Sequence, residues 1–327
     1  MLLQPVRLFL VLWKEKIVMT SFSITFSNVL LTLLYLLPGF LLCKCRKVRP
    51  EHMSSVSAIL LYICGPCMFL NALTALDASP TLSLRMLLFL AISFMAELLL
   101  LLLIYALCGK RRPEFRFRML ALASVSGNTG FFGLPIVSAL FPGNPEAAAY
   151  SCMFCVSLNI LAWTVGVFTL TGDRKYISFR AAFFNPTVLS VLAGFVLYLL
   201  RAGNWMPTLV RDGIRTVGGM STPLCLFILG IRLAAMDLKT LFTQPFVYAI
   251  TAGKLLIFPL FCYALVIFLP VPAVFKASML ILGATPCASI LLNLAEMHNS
   301  GQNLAANCAL LSTLLSMLTI PLLSLLL

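Results

Sequence analysis

The sequence predicts an all-α polytopic membrane protein of ten transmembrane helices, built as two five-helix repeats inverted relative to each other. Three observations predict it. Of the 327 residues, 61% are hydrophobic and only 10% charged, with a mean hydropathy of +1.04, far more apolar than a soluble domain. Stretches long enough to cross a bilayer, about 20 mostly apolar residues each, fall at 24 to 43, 54 to 76, 83 to 108, 119 to 141, 147 to 170, 183 to 200, 212 to 235, 245 to 269, 277 to 296 and 303 to 326. Residues 28 to 170 also recur, weakly but in register, as residues 185 to 327. Gly39-Phe40 answers to Gly194-Phe195, Pro66 to Pro223, Glu97 to Lys254, Gly127 to Gly283, Cys152 to Cys308 and Ser157 to Thr313, at a nearly constant separation. A repeat with an odd number of spans enters the membrane from opposite sides in its two copies. Such inverted repeats point to a secondary transporter, with its site where the copies meet near the midplane.

The chain accordingly divides into an N-terminal extension (1–21), a first repeat (22–170), a connecting loop (171–182) and a second repeat (183–327). In the extension, Leu8 to Trp13 is too short to span and no small-residue cleavage site follows, so it reads as an interfacial segment rather than a removed signal. The formal net charge of +13 is concentrated in loops. Lys44, Arg46, Lys47, Arg49, the group from Lys110 to Arg118, Arg174, Lys175, Arg180, Arg232 and Lys239 all share one side. The positive-inside rule makes that side cytoplasmic and places both termini outside, with Arg201, Arg211 and Arg215 opposing it. Anionic lipid headgroups account for the basic loops, and no nucleic-acid partner is needed.

Span 2 carries Cys64-Gly65-Pro66-Cys67, a C-x-x-C pair of the kind thioredoxin-type oxidoreductases use. It lies in an apolar span with no βαβ pattern nearby, and its counterpart, Ser221-Thr222-Pro223-Leu224, keeps the proline without the cysteines. Pro66 and Pro223 therefore read as matched kinks beside a cavity. Glu97 in span 3 and Lys254 in span 8 occupy equivalent positions, and each would cost about 2.5 to 3.5 kcal/mol at a helix centre if unpaired. They read as a coupling pair, substrate-linked or proton-linked, or else as a static ion pair across the repeat axis or as snorkelled side chains. Glu296 and Asp77 fall at span ends and read as solvated.

Span 4 contains Gly127, Asn128, Thr129, Gly130, Gly133 and Pro135, and span 9 contains Gly283, Thr285 and Pro286 at the matching place. Glycine and proline at this density are incompatible with an unbroken helix, so both spans should unwind near Gly127 to Gly130 and Thr285 to Pro286. Unwound backbone at membrane depth is tolerated only against protein or a watery cavity. The second half of each span then presents a helix N-terminus to that cavity, where backbone donors and Asn128, Thr129 and Thr285 favour an anion. Among the buried amides of the spans, Asn159 in span 5 is the one expected to line the cavity. His52 and His298 are the only histidines, and with Cys43-Lys44-Cys45 they give no metal-ligand spacing.

The string SGNTGFFGLPIVSALF at 126 to 141, Asn185-Pro186, PLCLFILGIRLA at 223 to 234 and LLSTLLSMLTIPLL at 310 to 323 together resemble the auxin efflux carrier family, over about residues 28 to 327. The short central loop resembles its bacterial branch more than the plant PIN-type carriers. The resemblance implies a fold shared with bile acid sodium symporters, with spans 1, 2, 6 and 7 as a scaffold and spans 3 to 5 and 8 to 10 as a moving core. It implies an organic anion at the crossing of spans 4 and 9, with Asn128, Pro135 and Pro286 at crossover positions. It further implies auxin or small carboxylates such as malate and malonate as substrates, and a homodimer in a bacterial inner membrane. The residues themselves disclose no phosphate-binding loop, metal cluster or nucleophile-base pair, so no enzyme and no cofactor is expected. The alternatives to a carboxylate carrier, with H+ or Na+ as coupling ion, are a thiol-disulfide carrier using Cys64 and Cys67, and a non-transporting sensor or channel.

Overall fold

The computed structural model describes residues 20–236, 238–297 and 301–327. Most of the N-terminal extension, with Arg7, Lys14 and Lys16, and His298 lie outside the described residues. Thr20 and Ser21, the end of the expected extension, already belong to the first helix. The described residues are helical and carry no named strand. Eight helical stretches are long and apolar enough to cross a membrane: α1 (Thr20–Lys44), α2 (Pro50–Thr74), α3 (Pro80–Leu107), α6 (Glu146–Thr171), the stretch Arg174–Leu199 of which Pro186–Leu199 forms α7, α8 (Thr208–Ala235), α9 (Pro245–Val266) and α12 (Gln302–Ser324). The chain is a multi-pass membrane protein.

Between these lie shorter helices in pairs. The expected span 4 is α4 (Phe115–Ala123) followed by α5 (Thr129–Leu140), and the expected span 9 is α10 (Ala273–Gly283) followed by α11 (Ser289–Met297). Both breaks fall where glycine and proline lie in the sequence. Proline also shapes the long helices. Wide π-helical turns at Leu60–Cys64, Thr129–Gly133 and Gly253–Ile257 each come just before a proline, at Pro66, Pro135 and Pro259. A proline has no N–H to return to the preceding turn and its ring crowds the carbonyl there. The ladder widens to accommodate it, as such turns do elsewhere.

The helices pack in two groups. α1 lies along the second half of α8, and α2 packs on α7 and on the first half of α8. The α1–α8 contact is close because Gly39 faces the Phe227 backbone and Gly230 faces the Leu36 backbone, leaving no room for a Cβ on either. Small residues at a membrane helix contact permit such approach and the dispersion gain that follows. The second group comprises α3 to α6 and α9 to α12. Its interior holds a ring cluster in which Phe89 stacks on Tyr150 at 4.7 Å between centroids and meets Phe275 edge-on at 4.8 Å, joining α3, α6 and α10. Phe154 and Phe258 extend the cluster to α9. The outward faces carry bare leucines, among them Leu84, Leu87, Leu102 and Leu107 of α3, a surface suited to lipid rather than water.

Asn185 caps α7, its side chain accepting from the Val188 N–H at 3.0 Å. In the connecting loop Asp173 accepts from the Lys175 backbone N–H and pairs with its ammonium at 2.9 Å, and these contacts hold its carboxyl below the usual carboxylate range.

Candidate functional site

The two breaks meet. Gly127 and Cys287 form an isolated antiparallel bridge, in which the Asn128 N–H donates to the Pro286 carbonyl at 2.8 Å and the Ala288 N–H donates to the Ser126 carbonyl at 3.0 Å. Each unwound segment therefore satisfies the other, which removes most of the penalty for exposing peptide groups at membrane depth. Side chains lock the crossing from behind. The Ser312 hydroxyl of α12 accepts from the Cys287 N–H at 2.9 Å, and Thr285 turns its hydroxyl back to the Leu282 carbonyl at 2.7 Å. A Cβ on Gly127 would stand 2.7 Å from the Thr285 hydroxyl and 3.0 Å from Lys254 Nζ, so any larger residue would force these buried side chains to move.

In front of the crossing is a cavity of about 190 Å³, lined by Asn128, Thr129, Gly130 and Phe131 of the first break and by Ala288, Ser289 and Ile290 of the second. Cys155, Asn159 and Trp163 of α6, Phe69 and Tyr62 of α2, and Asn185 and Thr187 at the start of α7 also line it. The first turns of α5 and α11 are thus both on its wall. First-turn N–H groups have no intrahelical acceptors and carry the positive end of the dipole. Asn128 begins the wide turn of α5 without capping it, and its amide lies 3.8 Å from the Cys225 sulfur of α8. The Thr129 hydroxyl lies 3.2 Å from Cys155 Sγ, and the Asn159 amide donates to the Cys155 carbonyl at 2.8 Å. A smaller cavity of about 70 Å³ adjoins on the α8 side and shares Leu61, Asn128, Ser289 and Asn293 with the first.

A third, wider cavity of about 650 Å³ lies beyond Phe131, lined by Asn28, Asn71, Pro135, Asn144, Pro145, Arg215, Thr222 and Pro223, among others. It takes Pro145 and Ala148 from the start of α6, whereas the crossing cavity takes Cys155 to Trp163 from farther along it. The two therefore open toward opposite ends of one helix. Little separates them: Met68 lines one and Phe69 the other, while Phe131 faces one and Pro135 the other. The Phe69 and Phe131 rings stand 6.4 Å apart. Pro135 cannot donate to the Phe131 carbonyl one turn back, and the Thr222 hydroxyl of α8 takes that carbonyl instead, at 2.7 Å.

Of the residues singled out in the sequence, Asn128, Thr129, Gly130, Gly127 and Asn159 come together on the cavity wall. Thr285 does not; it is fully buried behind the crossing. Pro135 and Pro223 line the wide cavity, and Pro66 follows the π-helical turn of α2 beside the wall. Glu97 and Lys254 are both fully buried near the crossing, but the direct ion pair expected as one alternative is not formed. The Ser157 hydroxyl donates to Glu97, and the Lys254 ammonium donates to the Gly283 carbonyl at the end of α10 and lies 4.7 Å from the Phe258 ring centroid. Cys64 and Cys67 are free thiols inside α2, where the helix runs on through both and offers neither a helix N-terminus. Ser289, Asn293 and Arg232 also line the two adjoining cavities, beyond the residues the sequence marks as binding. The signal was there: Ser289, Asn293 and Glu296 recur at one helical face.

A family profile described as membrane transport protein matches residues 24–324. A relative, an uncharacterized transporter of Methanocaldococcus jannaschii, is 24% identical over 303 residues, covering 90% of this chain and 96% of its own.

Proposed function

This chain belongs to the membrane transport protein family, and on that premise we propose that it carries a small organic carboxylate anion across its membrane by alternating access at the crossing of α4–α5 with α10–α11. The chain is a transporter rather than an enzyme. The observation that carries the finer reading is that the first turns of two broken helices line one cavity, with Asn128, Thr129 and Asn159 beside them. A carboxylate that sheds water in a low-dielectric cavity needs several donors at once. Two broken helices supply several of them. Asn128 and Thr129 are the principal side-chain contacts, the Gly130 and Ser289 backbone lies alongside, and Gly127, Pro135, Thr285 and Pro286 hold the crossing in shape.

Alternating access is supported by two cavities that open toward opposite ends of α6 across a wall formed by Phe69, Phe131 and Thr222. In this reading α1, α2, α7 and α8 are the scaffold, and the group with the crossing moves against it. The paired breaks support treating residues 22–170 and 183–327 as inverted repeats. Glu97 and Lys254, buried beside the crossing, are the residues through which a coupling ion would act. The basic loops support a cytoplasmic side that leaves both termini outside, as in a bacterial inner membrane. The test is a thermal-shift screen of the purified protein against organic acids, followed by flux in liposomes. Saturable uptake of a carboxylate supports the reading. A full acid panel with no shift and no flux refutes it.

A further inference from the structure

We infer that Arg232 is the cationic anchor for the substrate's carboxylate, and that Glu296 occupies it as an internal stand-in until substrate arrives; this rests on the carboxylate reading above. Among the described residues lining the crossing cavity and the smaller one beside it, Arg232 alone carries a charge. Lys254 is not on either wall, and its ammonium is held behind the crossing by Gly283. The facing helices present matched stripes. α8 offers Cys225, Leu229 and Arg232, α11 offers Ser289, Asn293 and Glu296, and residues at such spacing share a helix face. Asn128 meets this arrangement at Cys225, and Arg232 lies seven residues farther along α8, about 10 Å down its axis. Arg232 nonetheless lines the same small cavity as Asn128.

The Arg232–Glu296 contact has the properties of something meant to be exchanged. It is a single N–H···O contact at 3.2 Å, not the paired fork that arginine forms with a well-seated carboxylate. The Glu296 side chain is 49% exposed, whereas that of Arg232 is 22% exposed, so the anion can leave to water while the cation stays in the cavity. Exposed pairs of this kind contribute little to stability. The pair also joins the two helix groups, α8 from the first and α11 from the second. A substrate carboxylate that takes over Arg232 with better geometry therefore releases a tie between the groups as it binds.

The test uses the full-length protein, reconstituted, with acetate, malonate and succinate as probes and acetamide, malonamide and succinamide as their neutral counterparts. Apparent affinity is read by thermal shift and by flux. Arg232→Gln should weaken binding of whichever acid the parent binds tenfold or more. Glu296→Gln should strengthen it severalfold, because the internal competitor is gone. The double variant should follow Arg232→Gln, and the amides should be indifferent to all three. Arg232→Lys, which keeps the charge and loses the fork, should fall between parent and Arg232→Gln. If Arg232→Gln fails to fold, the sign of the Glu296→Gln effect still decides. Equal weakening by both single variants would make the pair a structural tie and overturn the inference. No change in either would overturn it as well. If the parent binds none of the three acids, the acid found in the full panel replaces them; a parent that binds and carries no acid of that panel defeats the proposed function itself, and the inference with it.

Discussion

Replacing Gly127 by alanine tests the crossing at its tightest point. The new methyl would sit 2.7 Å from the Thr285 hydroxyl and 3.0 Å from Lys254 Nζ, both on fully buried side chains. Neither can step aside freely, since Thr285 is bonded to Leu282 and Lys254 to Gly283. Either a buried polar group loses its partner, at about 1 to 3 kcal/mol, or the two chains part and strain the Asn128–Pro286 and Ala288–Ser126 bonds, with an overpacking cost of about 1 to 3 kcal/mol. Both routes give a loss of about 1 to 3 kcal/mol, and the second also displaces the first turns of α5 and α11 from the cavity. The control is Gly213→Ala in α8, where a Cβ meets nothing within 4 Å and helix propensity should add about 0.5 to 1 kcal/mol. Thermal unfolding in detergent and flux in liposomes measure the pair. If Gly127→Ala is as stable and as active as Gly213→Ala, the described crossing is wrong.

Thr222→Val removes the donor that serves the Phe131 carbonyl and should destabilise by about 1 to 3 kcal/mol. Pro135→Ala, which restores an N–H one turn on, should reduce that penalty, and a double-mutant cycle by thermal unfolding reads the coupling. Cys64→Ala with Cys67→Ala should leave flux within a few fold of the parent, because the thiols lie mid-helix and their counterparts in the second half are Ser221 and Leu224. A trapped mixed disulfide, or loss of all flux in the folded double variant, would restore redox chemistry to the discussion.

The breaks were legible in the sequence because proline and glycine act locally. The missing N–H of Pro135 and the flexibility at Gly127 and Gly130 have the same consequence in any surroundings. The repeat register likewise put Gly283 to Pro286 opposite them. Direction around a helix was less legible. Thr285 stands beside Pro286 in sequence, yet its hydroxyl turns back onto the carbonyl of Leu282 and leaves the cavity to Ser289. Glu97 and Lys254 were placed at matching depths, but depth does not fix separation, and each found a nearer partner in Ser157 or Gly283. Glu296 is half exposed at a span end, as the sequence suggests, but its contact with Arg232 was not legible because the two are distant in sequence and only the fold brings them within reach.

The central claim is that a carboxylate is held at the crossing by Asn128 and its neighbours. It is tested most directly by liposome flux of the acid identified in the binding screen, measured for the parent, Asn128→Ala and Asn128→Asp. Losing a hydrogen bond to a charged group costs about 1 to 3 kcal/mol, so Asn128→Ala should weaken apparent affinity roughly 5- to 150-fold with little change in thermal stability. Asn128→Asp should be worse, since it sets a like charge against the substrate. If both variants bind and carry that carboxylate as well as the parent does, the anion is held elsewhere and the account of the crossing as its site is contradicted.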